Sequence, residues 1–287
     1  MFKVFARQFR YSLSSARVYV ALLIGVVSQI ICIMPLLDFS KSVNQPLCIF
    51  EGFIYFNCDL YAAFAASLGV ILLMSDIPFS TQNETYTLLR ISRRKWLLGK
   101  LLYLLCASVL YYVVVFVFGA VFILENAYCG DSWSQLMQML AKGGGASYAA
   151  GYNVYFPYGN ILLSLSPAKA AVISLALNVC YSCLMSLVIF WLNLKFHRTL
   201  SYFAAIMFHV ANYVFIAVLP MKALLRVSLF GNSLLMFHQF DGSARAEQYF
   251  TLPQSFLLFG VTALFLYILL LRAIKRYDFR ITVGTRR

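Results

Sequence analysis

Side chains that could perform chemistry are sparse in this sequence, and the spacings that mark enzymes do not occur. There is no H-E-x-x-H zinc motif and no G-x-S-x-G nucleophile turn. Gly99-Lys100 does not complete a G-x-x-x-x-G-K-[ST] phosphate loop, because positions 94 and 101 are Arg94 and Leu101. The sequence therefore predicts no catalytic residue, no metal site and no cofactor bound by this chain, and hence no enzyme.

Four polar residues interrupt otherwise apolar stretches and form the candidate intramembrane site: Gln29, Asn178, His209 and Asn212. A polar residue inside a membrane span is a candidate for a substrate or proton site. His209 and Asn212 are three residues apart and share one helix face. The alternative, which we favour, is a hydrogen bond to a neighbouring helix, worth about 0.6 kcal/mol on average.

The element that must position these residues is a set of membrane helices. The chain has 287 residues, of which 62% are hydrophobic and 11% are charged, against about 25% charged in soluble domains. The apolar residues fall into six blocks near the roughly 20 residues that a spanning helix needs, at 18–37, 53–75, 101–124, 170–194, 200–219 and 255–271. We therefore predict an all-α integral membrane protein with six transmembrane helices in one domain, 1–287.

The basic residues predict the orientation of these helices. Seventeen of the 23 Lys and Arg residues flank one side of the predicted spans, and the positive-inside rule makes that side cytoplasmic. Both termini are then cytoplasmic in a multi-pass protein of the cell membrane. The excess of basic residues is explained by this placement, so no nucleic-acid partner is predicted.

The N-terminal segment 1–16 has the pattern of an amphipathic helix in the cytoplasmic interface. Phe2, Phe5 and Phe9 repeat at helical spacing, and Lys3, Arg7 and Arg10 occupy a separate face. This helix either anchors the chain on anionic lipid or docks a cytoplasmic partner. The sequence leaves the two roles open.

Two longer segments, 125–169 and 220–253, are predicted to be extracytoplasmic. The second contains an apolar stretch, 223–240, which we interpret as a re-entrant helical pair broken near Gly231. Three cysteines are predicted on the same side of the membrane, Cys48, Cys58 and Cys129. A disulfide among them is compatible with that location, and its pairing cannot be deduced.

A short cytoplasmic helix is predicted between the second and third spans. Asp76 and Pro78 end the second span, and Thr81 to Glu84 has the T-x-x-E form of a capping box. The cluster Arg93-Arg94-Lys95 returns the chain to the membrane, since one charge at the bilayer centre costs about 2.5 to 3.5 kcal/mol.

The segment 76–101 resembles the cytoplasmic coupling segment of ABC transporter permeases of the type-2 exporter family. The family pattern of an acid, Thr, paired leucines, Ser-Arg and Gly-Lys-Leu matches residues Glu84, Thr87, Leu88-Leu89, Ser92-Arg93 and Gly99-Lys100-Leu101. The sequence departs from it at Tyr86, where many members have glycine, and at Ile91, where proline often precedes Ser-Arg. The six spans, the interface helix and the apolar segment before the last span also resemble that family.

The resemblance implies the membrane half of an ATP-driven exporter, coupled through the segment 76–96 to a separate ABC ATPase that binds ATP and Mg. It also implies a second permease subunit, identical or different. The coupling interface would comprise the residues Glu84, Thr85, Tyr86, Thr87, Leu88, Leu89, Arg90 and Arg93. The main alternative is a non-transporting membrane scaffold or assembly subunit on a permease-like frame.

Overall fold

The structure, a computed structural model, describes residues 2–77, 91–143, 149–156, 158–217, 226–240 and 250–276. These residues form a helical bundle with little other regular structure, which confirms the all-α class. The helices are α1 (Phe2–Leu13), α2 (Ala16–Val43), α3 (Glu51–Asn57), α4 (Leu60–Met74), α5 (Arg93–Ile123), α6 (Gln135–Ala141), α7 (Gly159–Ser164), α8 (Pro167–Lys195), α9 (Arg198–Ala217) and α10 (Leu252–Arg276).

Five of these helices, α2, α5, α8, α9 and α10, are long and apolar enough to cross a membrane. A sixth crossing is obtained only if α3 and α4 are counted together, and these two helices meet at 88°. The chain is therefore compatible with a multi-pass membrane protein. The predicted second span, 53–75, is not one straight helix.

The bend between α3 and α4 has a local cause. Asp59 adopts an extended conformation at the N-cap of α4, and its carboxylate accepts a hydrogen bond of 2.7 Å from the Ala62 amide. This bond satisfies one of the amides that have no partner within the first turn of a helix. Asp59 thus begins a new helix in a new direction.

The first helix is confirmed as amphipathic, but its packing differs in detail from the prediction. The stripe that packs against the bundle is Val4, Gln8 and Ser12, while Phe5 and Phe9 are half-buried beside it. Gln8 accepts a hydrogen bond from the buried ammonium of Lys100, and Ser12 Oγ lies 2.6 Å from Tyr103 Oη. Both partners are on α5. Gln8 and Ser12 need hydrogen-bond partners because packing of α1 against the bundle removes their polar groups from water.

Helices α2, α4 and α5 pack closely through two glycines. A Cβ atom at Gly69 of α4 would overlap the hydroxyl of Tyr111 and lie 2.9 Å from the Ala21 carbonyl of α2. A Cβ atom at Gly25 of α2 would overlap the same hydroxyl. Tyr111 Oη donates a hydrogen bond of 2.7 Å to the Ala66 carbonyl. Small residues let these backbones approach, as is common between membrane helices.

The hydrogen bonds and ion pairs sort the helix ends into two groups. At one end Arg17 and Arg198 pair with Asp76, and Asn193 bonds to the carbonyls of Ser75 and Ile77. At the other end Lys41 pairs with Glu125. The second group also includes a short parallel pair of strands, β1 (Leu47–Cys48) and β2 (Ala127–Tyr128). Successive long helices therefore run in alternating directions, as the sequence predicted.

The apolar segment before α10 differs from the expected helical pair in its described part, 226–240. It forms two 3-10 turns, Gly231–Ser233 and Leu235–Phe237. Ring centroids of Phe230 lie 5.6 Å from Tyr181 and 5.2 Å from His209, so the segment dips between α8 and α9. Dense side-chain hydrogen bonding, described below, replaces the helical bonds that the apolar pattern had suggested.

The cysteines at the second end are not bridged. Cys48, Cys58 and Cys129 are all free thiols, the first two buried and the third exposed. Cys48 Sγ donates to the Gly130 carbonyl at 3.1 Å.

Candidate functional site

The basic end of the bundle carries a buried acid between two arginines. The Asp76 carboxylate, whose side chain is 7% exposed, forms ion pairs with Arg17 at the start of α2 and Arg198 at the start of α9. Arg17 also donates to Ser75 Oγ at 3.1 Å. A carboxylate held by two guanidinium groups is a strong charge-assisted contact. The residue that follows α4 is thereby fixed to the first turns of two other helices.

A third helix reaches the same short stretch. The Asn193 amide, in the last turns of α8, donates to the Ser75 carbonyl at 3.2 Å and to the Ile77 carbonyl at 2.5 Å. Carbonyls just beyond a helix end lack partners within the helix. Asn193 donates the missing hydrogen bonds to these carbonyls. Residues 75–77 are therefore bonded to α2, α8 and α9.

The other end of the predicted coupling segment is tied to the last span. Arg93, the first residue of α5, donates to the carbonyls of Ile274 and Lys275 at 3.2 and 2.8 Å. These carbonyls belong to the last turn of α10, where basic side chains are favoured. Of the predicted coupling residues only Arg93 is described, and Glu84, Thr85, Tyr86, Thr87, Leu88, Leu89 and Arg90 lie outside the described residues.

The intramembrane candidates are all buried, and His209 is the best connected of them. Its Nδ1 lies 2.6 Å from Tyr181 Oη, and its Nε2 lies 3.2 Å from the Phe64 carbonyl. A carbonyl only accepts, so Nε2 carries the proton and Tyr181 donates to Nδ1. The imidazole also stacks on Phe64 with centroids 4.5 Å apart. His209 is thus a hydrogen-bonded link between α4, α8 and α9.

Asn212 binds the segment that dips into the bundle. Its Oδ1 accepts a hydrogen bond of 3.0 Å from the Leu229 amide, and its Nδ2 donates to the Phe208 carbonyl at 2.9 Å. His209 and Asn212 share one face of α9, as predicted. That face holds residues 228–230 in place.

The remaining two candidates lie elsewhere in the bundle. Asn178 donates to Asn57 Oδ1 of α3 at 2.9 Å and to the Ser174 carbonyl at 2.8 Å. Gln29 is fully buried against Gly119 of α5, and neither atom of its amide has a hydrogen-bond partner. Hydrogen bonds therefore do not join the four candidates into one site.

The end of the bundle opposite Asp76 holds a second polar cluster. His238 Nδ1 lies 3.0 Å from the Leu234 carbonyl, so this nitrogen carries the proton in the neutral ring. Its Nε2 lies 2.9 Å from Ser255 Oγ, which is in turn 2.7 Å from Asn232 Oδ1. Burial lowers the pKa of His238 to about 4. The cluster resembles a Ser–His pair, but all three side chains are buried.

Glu51 organises the strands at this end. Its two carboxylate oxygens accept hydrogen bonds from the amides of Cys48 and Ser134 at 2.8 and 2.7 Å. Glu51 is fully buried. The carboxylate thus joins β1 to the turn before α6.

No metal site is present in the described part of the chain. Cys180 and Cys183 have the C-x-x-C spacing on α8, but no three His, Cys, Asp or Glu side chains are close enough together to hold an ion. Comparisons of the chain with protein-family models, with curated proteins and with solved structures found no match.

Several residues of these sites were not predicted. From the sequence, Arg17 and Arg198 count only among the basic residues that indicate orientation, and Asp76 only as the end of the second span. The available signal was the scarcity of acids, because only three of the ten, Asp76, Glu84 and Asp278, fall on the predicted cytoplasmic side with the seventeen basic residues. A carboxylate among many cations tends to be paired when it is buried.

Proposed function

We propose that this chain is the transmembrane permease subunit of an ATP-driven ABC exporter, coupled to a separate ATPase subunit through the segment 76–96. The observation that carries the proposal is that both described ends of this segment are attached to other helices. Residues 75–77 are bound by Arg17, Asn193 and Arg198, and Arg93 is bound to the end of α10.

Such an attachment would let the segment 76–96 transmit a displacement from a partner subunit to the helices. A displacement of residues 78–90 by a partner would pull on α4 and α5 directly and on α2, α8, α9 and α10 through these bonds. Packed bundles respond to such a shift by changing between discrete arrangements. A loop that only joined two spans would need no connection to four other helices.

The proposal includes six spans, with α3 and α4 together making the second, in the cell membrane with both termini cytoplasmic. A second permease subunit, identical or different, completes the transporter, and ATP and Mg bind to the ATPase. The basic residues at the end that carries Asp76 support this orientation.

A polar stripe inside the bundle supports a substrate pathway along α8. Ser174, Asn178, Ser182 and Ser186 recur every four residues and are all buried, so they lie on one helix face. Ser174 Oγ has no hydrogen-bond partner. This buried hydroxyl is available to a polar group of a substrate when the helices separate.

The test is co-purification with a candidate ABC ATPase encoded beside this chain. Replacing both Leu88 and Leu89 by Asp should release the ATPase and abolish coupled ATP turnover, because apolar residues anchor a helix in a protein groove. Replacing Arg93 and Arg94 by Gln should weaken attachment to the membrane end of the bundle more than ATPase binding. A folded leucine-pair variant that retains the ATPase at wild-type stoichiometry would favour the scaffold alternative.

A further inference from the structure

The first helix, α1, has three faces of different chemistry, and one of them packs against the bundle. This docked face consists of Val4, Gln8 and Ser12, which recur every four residues and are all buried. Two polar contacts with α5 fix the rotation of the helix. Gln8 accepts a hydrogen bond from the Lys100 ammonium, and Ser12 Oγ lies 2.6 Å from Tyr103 Oη. The other two faces therefore point away from α5.

The second face of α1 is apolar. Phe2, Ala6 and Leu13 share it, since they are four and seven residues apart. Phe2 and Leu13 are 71% and 43% exposed, and the half-buried rings of Phe5 and Phe9 lie between this face and the docked one. Contiguous exposed apolar side chains of this kind mark a surface that contacts a membrane or a protein.

The third face of α1 is basic. Lys3, Arg7 and Arg10 lie on it at spacings of four and three residues, and all three are exposed. The helix contains no acidic residue. At 3.6 residues per turn, the basic face directly adjoins the apolar face. An apolar face beside a face rich in Lys and Arg is the pattern of helices that lie in the membrane interface.

The end of α1 lies beside the lipid-facing surface of α2. Tyr19, in the first turn of α2, is 61% exposed, and its hydroxyl donates to the Leu13 carbonyl at 2.9 Å. Exposed tyrosines of membrane helices concentrate at the level of the lipid headgroups. Tyr19 is also two residues from Arg17, which belongs to the basic end of the bundle. The apolar face of α1 therefore ends at headgroup level.

We infer that the two undocked faces of α1 bind the surface of the membrane, with Lys3, Arg7 and Arg10 on the phosphates of anionic phospholipids. The apolar face inserts between headgroups and acyl chains. A groove on a cytoplasmic protein would also cover the apolar face, and the sequence left that role open. The basic face and the contact between Tyr19 and Leu13 favour lipid, because an anionic surface attracts each basic residue close to it.

The test is fluorescence quenching of the full chain in vesicles that contain phosphatidylcholine and phosphatidylglycerol. In one preparation the phosphatidylcholine carries bromine on its acyl chains, and in the other the phosphatidylglycerol does. Phe2→Trp places a fluorophore on the apolar face of α1, and the signal of the three native tryptophans is subtracted by measuring the unaltered chain. Quenching at several mole fractions gives the relative binding of the two lipids beside position 2.

We expect phosphatidylglycerol to be preferred at position 2 by at least about fivefold, the effect of one basic residue near an anionic surface. The matched control is Leu257→Trp, at an exposed position near the start of α10. No basic residue of α10 precedes Arg272, so the two brominated lipids should quench this tryptophan equally.

The basic face is tested in the Phe2→Trp chain. Replacing its three basic residues by Gln should abolish the preference for phosphatidylglycerol, and about 0.5 M salt should weaken the preference by screening. The control removes the same charge elsewhere and should retain the preference; it replaces by Gln three exposed basic residues of α5 and α10, Lys95, Arg272 and Lys275. Gel filtration checks folding. If the α1 variant does not fold, the lipid comparison and its salt dependence decide.

Three results would overturn the inference. Equal quenching by the two brominated lipids at position 2 would remove the preference for anionic lipid. Quenching at position 2 by aqueous iodide, and by neither lipid, would place the apolar face outside the membrane and identify a cytoplasmic protein as its partner. A preference that survives the loss of the three α1 charges would assign lipid binding to other basic residues.

Discussion

Arg198 and Asp76 form an ion pair that joins the first residue of α9 to the residues following α4. The two are 122 positions apart in the sequence and meet because α4 ends and α9 begins on the same side of the bundle. With Arg17 added, one carboxylate orders three helix ends. These ion pairs hold the start of α2, the start of α9 and the residues after α4 together.

We predict that Asp76→Asn destabilises the folded chain by about 1 to 2 kcal/mol. The substitution leaves two arginines without their carboxylate, and the cost is moderate because the Arg17 and Arg198 side chains are partly exposed. Thermal melting in detergent measures the change. The matched control is Glu125→Gln, which breaks the exposed pair with Lys41 and should leave the melting temperature nearly unchanged, because water screens an exposed pair. Equal decreases in melting temperature in the two variants would show that the ion pairs of Asp76 stabilise the chain no more than an exposed pair does.

We predict that Gly69→Ala destabilises the bundle by about 1 to 3 kcal/mol. The new methyl group would overlap the Tyr111 hydroxyl and press on the Ala21 carbonyl, which is backbone and cannot rotate away. Gly260→Ala on α10 is the control, because nothing lies within 4 Å of its added Cβ. That variant should be neutral or more stable, by up to about 1 kcal/mol, since alanine favours helix over glycine. The comparison needs only melting curves of both variants.

We predict that acid destabilises the chain through His238. Its pKa is lowered by burial from 6.5 to about 4, so between these values the unfolded chain binds a proton that the folded chain does not. Stability is therefore complete above about pH 6.5 and falls as the pH decreases toward 4, by on the order of 3 kcal/mol.

His238→Gln should remove this part of the pH dependence of melting, while His197→Gln, at an exposed histidine, should leave it unchanged. Identical pH profiles for the unaltered chain and His238→Gln would contradict the assignment.

We predict the orientation from the basic residues. A cysteine label at Gly144 or Gly242 should react from outside intact cells, and a label at Asn83 or His197 should react only after the membrane is opened. Labelling of Asn83 from outside would reverse the orientation and remove the coupling proposal with it.

We also predict that the purified chain alone binds no ATP above background, because its sequence contains no phosphate loop. Equilibrium dialysis with labelled ATP measures this directly. Stoichiometric binding by this chain without a partner would contradict the proposed division between permease and ATPase.

The helices were predictable from the sequence because membrane spans depend mainly on local apolar content. Five of the six predicted blocks correspond to long helices. The sixth was mispredicted in shape, since hydropathy averages over Asp59 and the neighbouring residues that begin α4 in a new direction.

The contacts of the candidate site were less predictable because they depend on which helix ends meet. The sequence placed Asp76 and Arg198 on one side of the membrane but gave no distance between them. Burial of Gln29, Asn178, His209 and Asn212 was expected from their positions, whereas their partners Asn57, Tyr181 and Leu229 come from other elements. Such pairings depend on how elements distant in the sequence pack together, so they leave no periodic pattern in the sequence.

The short length of α4 has a consequence for how the protein is made. With 15 residues it extends only about 22 Å, less than the roughly 30 Å of hydrocarbon, and Asp59 stands at its N-terminus. Its neighbours in the finished bundle include α8 and α9, which begin 93 and 124 positions after the last residue of α4 and are therefore synthesised much later. A nascent chain that stops before α8 would leave Asn57 without Asn178, so we expect such truncated chains to be degraded by membrane proteases instead of accumulating.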